Sequence, residues 1–154
     1  VKLLNKYFDV MVAEIIAQGG YIDKFMGDAV MAVFRADYHL DRAMDACLAV
    51  RKQVSELPNE SGNIFFRPNV SIGINSGEMI SGNIGSANLK RLDYTVIGDV
   101  VNTAQRLQTV AKEGQILISE SAYEKVKESF NCSKVGDVSL KNKSNPVTIY
   151  EVLD

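Results

Sequence analysis

Residues Leu92–Leu107 read LDYTVIGDVVNTAQRL and are the most informative part of the sequence for its fold. Its first half, which ends at Ile97, is rich in β-branched and aromatic residues and therefore favours a strand. Gly98 interrupts this run. Asp99 is a residue type that caps helices, so we expect a helix with Asp99 as its N-cap. The apolar residues that follow repeat at helical spacing until Gly114, which predicts an amphipathic helix packed on a sheet.

Segments on both sides of this stretch alternate between helical and strand patterns. Apolar residues at i, i+3 and i+4 spacing predict helices over residues 3–16 and 43–57, and a short helix is expected from Ser119 to about Lys127. The predicted strands are a hairpin over Tyr21 to Phe34 that turns at Gly27 and Asp28, then Val70 to Ile74, Glu78 to Ile84, Gln115 to Ile118, Val135 to Leu140 and Val147 to Leu153. The expected architecture is α+β, with one largely antiparallel sheet and helices packed on one face.

Length and composition fit one domain over residues 1–154, since 46% of the residues are hydrophobic and 23% are charged. Seventeen Lys plus Arg against nineteen Asp plus Glu give a formal charge of −2. A nucleic-acid partner is not expected, because a phosphate-binding surface needs a basic excess. The longest apolar run, Ala29 to Phe34, is far shorter than the roughly 20 residues of a membrane span. We therefore expect a cytoplasmic domain that makes no membrane contact.

Cysteine, histidine and glycine patterns match none of the common local catalytic motifs. Cys47 and Cys132 are far apart and form no CxxC pair, so we expect two reduced thiols that pack as small hydrophobes. The single histidine, His39, has no nucleophile elbow to serve and is expected to be a solvated loop residue. The glycines between Gly73 and Gly85 lack the Lys and Ser or Thr that complete a phosphate-binding P-loop.

Three strings differ from this ordinary background: IDKFMGD at 22–28, DYTVIGD at 93–99 and VNTAQRL at 101–107. A fourth, LKNK at 140–143, precedes PVTIY at 146–150. In this order, with fitting helices and strands between them, they resemble the catalytic domains of class III nucleotidyl cyclases. The resemblance implies a ferredoxin-like βαββαβ-type sheet. It also implies that the ribose 3′-hydroxyl of a bound nucleotide attacks the α-phosphate and expels pyrophosphate.

The resemblance further implies roles for individual residues. Carboxylates would hold two divalent cations per site, Mg²⁺ or Mn²⁺, and Asp28 matches one of these ligands. Lys24 and Thr95 match the base-recognition positions, where an ammonium and a hydroxyl complement N1 and N6 of adenine. Guanylyl cyclases tend to place an acid and a cysteine there, so ATP is favoured over GTP.

Asn102 and Arg106 lie four residues apart on the predicted helix and share one face. By resemblance, Asn102 orients the ribose and Arg106 stabilises the charge that develops on the α-phosphate. Lys141 matches a lysine that contacts the terminal phosphates. Asn142 stands where the family usually has glycine, which leaves the path of this loop open.

The resemblance also implies something about the start of the domain and about its assembly. The family domain opens with a strand that carries the second metal carboxylate, and Val1 to Ile16 match a later helix. We therefore expect an N-terminally truncated cyclase domain with an incomplete metal site. The active sites of the family lie between head-to-tail subunits, so a chain with both residue sets is expected to form a homodimer. Two alternatives stay open, a guanylyl cyclase and a nucleotide-binding regulatory module without turnover.

Overall fold

The structure is a computed structural model that describes residues 2–86, 91–140 and 143–154; for residue 2 and residues 80–86 and 91–96 it describes the backbone. The helices are α1 (Lys2–Ala17), α2 (His39–Ser55), α3 (Asp99–Val110) and α4 (Glu120–Val126). The strands are β1 (Tyr21–Met26), β2 (Ala29–Val33), β3 (Ile72–Ile74), β4 (Ile80–Ser86), β5 (Arg91–Ile97), β6 (Ile116–Ser119), β7 (Cys132–Val138) and β8 (Val147–Val152). The predicted α+β class is confirmed. None of the helices in these residues has the length and apolar character needed to cross a bilayer.

The largest sheet has the strand order β3-β6-β8-β7. β3 and β6 pair in parallel, with Ile72 opposite Ile116 and Ile74 opposite Ile118, and the remaining pairs in this sheet are antiparallel. β1 with β2 and β4 with β5 form two separate antiparallel hairpins. This mixed arrangement differs from the single, largely antiparallel sheet expected from the sequence. A parallel pair needs a long crossover, and α3 lies in the connection between β3 and β6.

Strand β6 is buried on both faces. Ile116 and Ile118 pack with residues of α2 and α4 on one face, and Leu117 packs with Leu107 of α3 on the other. The first cluster also contains Leu40, Met44, Ile74, Ala122, Val126 and Val152. The helices therefore lie on both faces of the sheet, whereas the sequence analysis placed them on one. The uninterrupted run Ile116-Leu117-Ile118 is typical of a strand that is covered on both faces.

Both cysteines, Cys47 and Cys132, are free thiols that pack against the cluster between α2 and α4. Burial raises the pKa of the Cys47 thiol to about 12. Burial also raises the pKa of the Cys132 thiol, because a thiolate loses hydration in an apolar environment. Both side chains are therefore neutral at physiological pH and act as small hydrophobes.

The N-cap of α3 is Gly98, so the prediction of Asp99 at this position is wrong. Gly98 has a φ of 135°, which side chains other than glycine rarely adopt, and Asp99 is the first helical residue. The carboxylate of Asp99 instead accepts a hydrogen bond of 2.5 Å from the ammonium of Lys143. The helix ends at Val110, and Gly114, with a φ of 76°, lies in the turn that follows.

His39 belongs to the folded structure, so the prediction of a solvated loop residue is wrong. It begins α2; its Nδ1 lies 3.2 Å from the carbonyl oxygen of Ala36, and its Nε2 lies 2.7 Å from the hydroxyl of Ser76. Because a carbonyl only accepts, the ring nitrogen Nδ1 is the donor to Ala36, and Nε2 pairs with the hydroxyl of Ser76. This pair links the start of α2 to the loop after β3.

A cavity of about 530 Å³ lies between β2 and β3. Its lining comes from both strands and from α1, α2 and α3, and most of the lining side chains are apolar. β2 pairs with β1, and β3 pairs with β6. Within the described ranges neither strand has a second partner, so each turns an unpaired edge towards the cavity.

β3 and α3 touch backbone to backbone at Gly73. A Cβ atom at this position would overlap the carbonyl oxygen of Ala104 and the amide nitrogen of Gln108, and it would lie 2.9 Å from Leu107 Cβ. Only glycine permits this approach. The contact therefore sets the distance between α3 and the sheet.

Replacing Gly73 with alanine is expected to lower the free energy of unfolding by about 1–3 kcal/mol, because the helix backbone has to move to make room. Gly77→Ala is the matched control. Its Cβ would meet only the side chain of Val100, with Cγ2 2.8 Å away, and a side chain can give way. Urea denaturation followed by circular dichroism measures both variants. Equal losses, or no loss at Gly73, would contradict the close-contact explanation.

Candidate functional site

The hairpin formed by β1 and β2 carries two of the predicted site residues, Lys24 and Asp28. Gly27 and Asp28 form its two-residue turn, flanked by the paired residues Met26 and Ala29. Gly27 has a φ of 62°, and a glycine with positive φ at the first turn position is typical of type II′ turns, which suit twisted strands. Asp28 is therefore held at an exposed tip, where its carboxylate is open to a ligand.

Lys24 forms an ion pair with its neighbour Asp23. The side chain of Lys24 is 43% exposed, and its Nζ lies 3.6 Å from Oδ2 of Asp23, whose side chain is fully buried. A buried carboxylate needs compensating charge or hydrogen bonds. The sequence analysis quoted Asp23 only as a letter of the IDKFMGD string. Its signal in the sequence is an acidic residue directly before a basic one in a strand whose other residues are aromatic or apolar.

One guanidinium, that of Arg42 on α2, holds the base of the hairpin. It donates hydrogen bonds to the carbonyl oxygens of Gln18 at 2.9 Å, Asp37 at 3.1 Å and Arg35. Gln18 precedes β1 and Arg35 follows β2, so both ends of the hairpin meet at one side chain. The sequence analysis missed Arg42, because an arginine on an amphipathic helix gives no sign of its tertiary partners.

Helix α3 carries Asn102 and Arg106. Thr103 and Leu107 are buried, which leaves positions 102 and 106 beside the buried face. Asn102 is exposed and Arg106 is half-buried. The Nε of Arg106 is fully buried and has no hydrogen-bond partner among the described residues. A buried donor without an acceptor is costly, so this atom suits an acceptor that the described residues do not supply.

Strand β5 leads into α3 and carries Thr95. The backbone of Thr95 pairs with Gly82 of β4, and its side chain lies outside the described part of the chain. β5 also contacts β1. The strands that carry Lys24 and Thr95 therefore lie next to each other, which brings the two predicted base-recognition positions into one region.

Lys141 lies outside the described residues. Lys143, two positions further along, is tied to α3. Lys143 Nζ lies 2.5 Å from Asp99 Oδ2, and the two side chains are 30% and 74% exposed. Exposed ion pairs contribute little to stability, so the effect of this pair is to place Lys143 next to the start of α3. The sequence analysis did not single out Lys143.

Asp28 is the predicted metal ligand. Carboxylate oxygens are the donors that Mg²⁺ and Mn²⁺ prefer, and Mg²⁺ sites commonly combine one or two carboxylates with substrate phosphates. Residues 2–86, 91–140 and 143–154 contain no group of three or more His, Cys, Asp or Glu that could hold a metal ion.

Residues 1–153 match a known protein family, described as the Adenylate and Guanylate cyclase catalytic domain. The chain belongs to this family. The family assignment made from the motif strings is thereby confirmed. The hairpin, β5 and α3 are accordingly parts of a cyclase catalytic domain.

Several known cyclases are similar to this domain. "Adenylate cyclase, terminal-differentiation specific" from Dictyostelium discoideum is 37% identical over 161 aligned residues, which cover 100% of this chain and 8% of that protein. The crystal structure of the adenylyl cyclase CyaB from P. aeruginosa is 36% identical with a TM-score of 0.88, covering 99% of this chain and 81% of that chain. The guanylate cyclase domain of RhGC from Catenaria anguillulae, in complex with GTP, is 28% identical with a TM-score of 0.84. That match covers 97% of this chain and 81% of the other.

The cyclase domain thus spans a small fraction of the Dictyostelium protein. The domain is similar both to adenylyl cyclases and to guanylyl cyclases. The choice of base therefore has to be argued from individual residues.

Replacing Arg42 with methionine is expected to loosen the hairpin, because three hydrogen bonds at its base are lost. Amide hydrogen exchange in β1 and β2 should accelerate roughly tenfold or more. Arg51→Met is the matched control, since Arg51 also lies on α2 but donates to the carbonyl oxygens of Val152 and Leu153. Hydrogen exchange with mass spectrometry measures both variants. Unchanged exchange in the hairpin of Arg42→Met would show that it is not held in this way.

Proposed function

We propose that this chain is the catalytic domain of an adenylyl cyclase, which converts ATP to 3′,5′-cyclic AMP and pyrophosphate. Family membership supports the reaction class, and the relatives that match the chain over nearly its whole length include adenylate cyclases at 36–37% identity. In this reaction the ribose 3′-hydroxyl loses its proton and bonds to the α-phosphorus, and the bond from that phosphorus to the pyrophosphate oxygen breaks. The site has to orient the ribose and stabilise charge on the phosphates.

The observation that carries this proposal is the buried Nε of Arg106, which finds no acceptor among the described residues. A guanidinium is always charged and holds its donors in a fixed fork. It can therefore stabilise the oxygens of the α-phosphate while charge develops on them. The substrate would supply the acceptor that Arg106 lacks.

Asn102 and the two base-recognition residues place the rest of the nucleotide. Asn102 lies one turn before Arg106, and its exposed amide can both donate to and accept from the ribose. The ammonium of Lys24 donates to N1 of adenine, and the hydroxyl of Thr95 accepts from N6. Guanine has the opposite donor and acceptor pattern, so ATP is preferred. The similarity to a GTP-bound domain makes a guanylyl cyclase the second candidate.

Asp28 and Lys141 would act on the phosphates. Asp28 would help to hold divalent cations, two per site and either Mg²⁺ or Mn²⁺, whose chemistry would be to acidify the 3′-hydroxyl and neutralise phosphate charge. The contribution of Asp28 is an oxygen donor held at the tip of a tight turn. The contribution of Lys141 is a positive charge that contacts the terminal phosphates.

We infer that a β-strand from outside these residues fills the cavity between β2 and β3 and supplies the second metal carboxylate. The unpaired edges of β2 and β3 and the apolar lining support this inference, because native proteins normally cover such edges. Asp28 belongs to the lining of the same cavity. A carboxylate on the inserted strand would therefore lie near Asp28.

We propose that the active site forms between two copies of the chain in a head-to-tail dimer. Lys24, Asp28 and Asn102 are exposed, so a single chain does not enclose a substrate around them. Apolar side chains next to them are exposed as well: Phe25 is 55% exposed and Ile97 47%. Such side chains suit burial in an interface. Each site would take metal carboxylates from one copy and the base, ribose and phosphate contacts from the other. We place the domain in the cytoplasm, where ATP is available.

The first test concerns Arg106. We expect the full-length protein to form cyclic AMP from ATP, and Arg106→Ala to lower kcat by roughly 10² or more with little change in ATP affinity, because the contact acts in the transition state. Arg106→Lys should recover only part of the rate, since it lacks the fork. Thr109→Ala, at an exposed position of the same helix, is the control. Product chromatography and nucleotide binding measure the two quantities. An equal loss of affinity would make Arg106 a ground-state binder, and faster turnover of GTP than of ATP would favour a guanylyl cyclase.

The second test concerns the dimer. In the full-length protein, Asp28→Ala and Arg106→Ala should each be inactive alone. When the two variants are mixed, both lesions of a heterodimer fall in one site and leave the other intact. Random pairing places about half of the dimers in this state, so activity should recover to about a quarter of the wild-type value. No recovery, with subunit exchange verified by native mass spectrometry, would place the site within one chain.

A further inference from the structure

Strand β1 contains a β-bulge at Asp23. Ile22 lies opposite Ala32, and Lys24 lies opposite Met31, so β1 advances two residues while β2 advances one. Asp23 is the extra residue. In a regular strand neighbouring side chains point to opposite faces. A bulge interrupts this alternation and re-aims the side chains beside it.

The bulge coincides with the ion pair between neighbours. The carboxylate of Asp23 is fully buried, and its Oδ2 lies 3.6 Å from Nζ of Lys24. Regular alternation would direct these two side chains away from each other. The strand therefore combines a backbone irregularity with a buried charge next to a partly exposed lysine.

We propose that Asp23 is a positioning residue that holds the ammonium of Lys24 for base recognition; this rests on the proposed adenylyl cyclase function. A lysine has a long stem and many rotamers. Held by a buried carboxylate, the ammonium of Lys24 stays where N1 of adenine accepts its proton. The ammonium also stays there when guanine is bound, and guanine presents its N1–H donor at the same position.

This positioning makes Asp23 a determinant of selectivity. A free lysine can swing away from guanine at little cost. When Lys24 is held in place, its ammonium and the N1–H of guanine are two donors that face each other, which disfavours GTP. The effect of Asp23 should therefore be larger on the ratio of ATP to GTP turnover than on folding.

The test uses Asp23→Asn in the full-length protein, which keeps the side-chain shape and removes the charge. We expect the ratio of kcat/KM for ATP to that for GTP to fall roughly tenfold or more, because recognition of polar groups depends on fixed partners. Asp137→Asn is the matched control, since Asp137 is also a strand aspartate and accepts a 2.6 Å hydrogen bond from Thr148. It should leave the ratio unchanged. A folded Asp23→Asn variant with wild-type selectivity would overturn the proposal.

A second comparison keeps the test decisive if Asp23→Asn does not fold. Lys24→Met leaves no ammonium to hold, and the double variant Lys24→Met with Asp23→Asn removes the buried carboxylate as well. If Asp23 acts only through Lys24, the two variants should share one selectivity. A further loss of selectivity in the double variant would mean that Asp23 acts apart from Lys24, against the proposal.

Side-chain NMR relaxation at Lys24 Cε separates the positioning from the enzymatic activity. The wild-type side chain should be ordered and should become mobile in Asp23→Asn or Asp23→Glu. Mobility of Lys24 that does not depend on residue 23 would overturn the proposal. An ordered Lys24 that Asp23→Asn releases, in a protein that forms no cyclic AMP, would support the positioning and refute the proposed function.

Discussion

The backbone contact between β3 and α3 at Gly73 is the constraint on which the candidate site depends. With no side chain between them, two main chains set the distance from helix to sheet. The buried Leu107 then fixes the rotation of α3 about its axis, and helical geometry places Asn102 and Arg106. This rigidity suits the role proposed for Arg106, because electrostatic stabilisation needs donors that are already in place.

The hairpin is held by fewer contacts than α3. A two-stranded hairpin is marginally stable by itself; here Arg42 ties its base, and α1 and β5 lie against it. The rings of Phe8 and Phe25 meet edge to face with centroids 5.3 Å apart, which joins α1 to β1. The tip with Asp28 projects beyond these contacts. The candidate site thus combines an arginine with a buried Nε on a helix held against the sheet with a carboxylate on an exposed turn.

Regular elements could be predicted from the sequence wherever one local pattern was strong. The periodic runs of α1, α2 and α3 and the turn at Gly27 and Asp28 were recognised, with bounds that shift by a few residues. The predicted N-cap of α3 was wrong because the backbone at this position has a positive φ that favours glycine. This requirement at Gly98 outweighs the capping preference of Asp99. The prediction that His39 is a solvated loop residue was wrong because its partner, Ser76, lies 37 positions away along the chain.

The sequence alone was enough to predict the α+β class, the cyclase family and the elements that carry Lys24, Asp28, Thr95, Asn102 and Arg106. These features depend on periodicity and on residue identity at short range. Only the tertiary structure decided that helices cover both faces of β6, that Arg42 joins both ends of the hairpin and that Asp23 is buried beside Lys24. The buried Nε of Arg106 is a result of the same kind. Each of these depends on which distant segments pack together and on how much water they exclude, and no local pattern specifies either quantity.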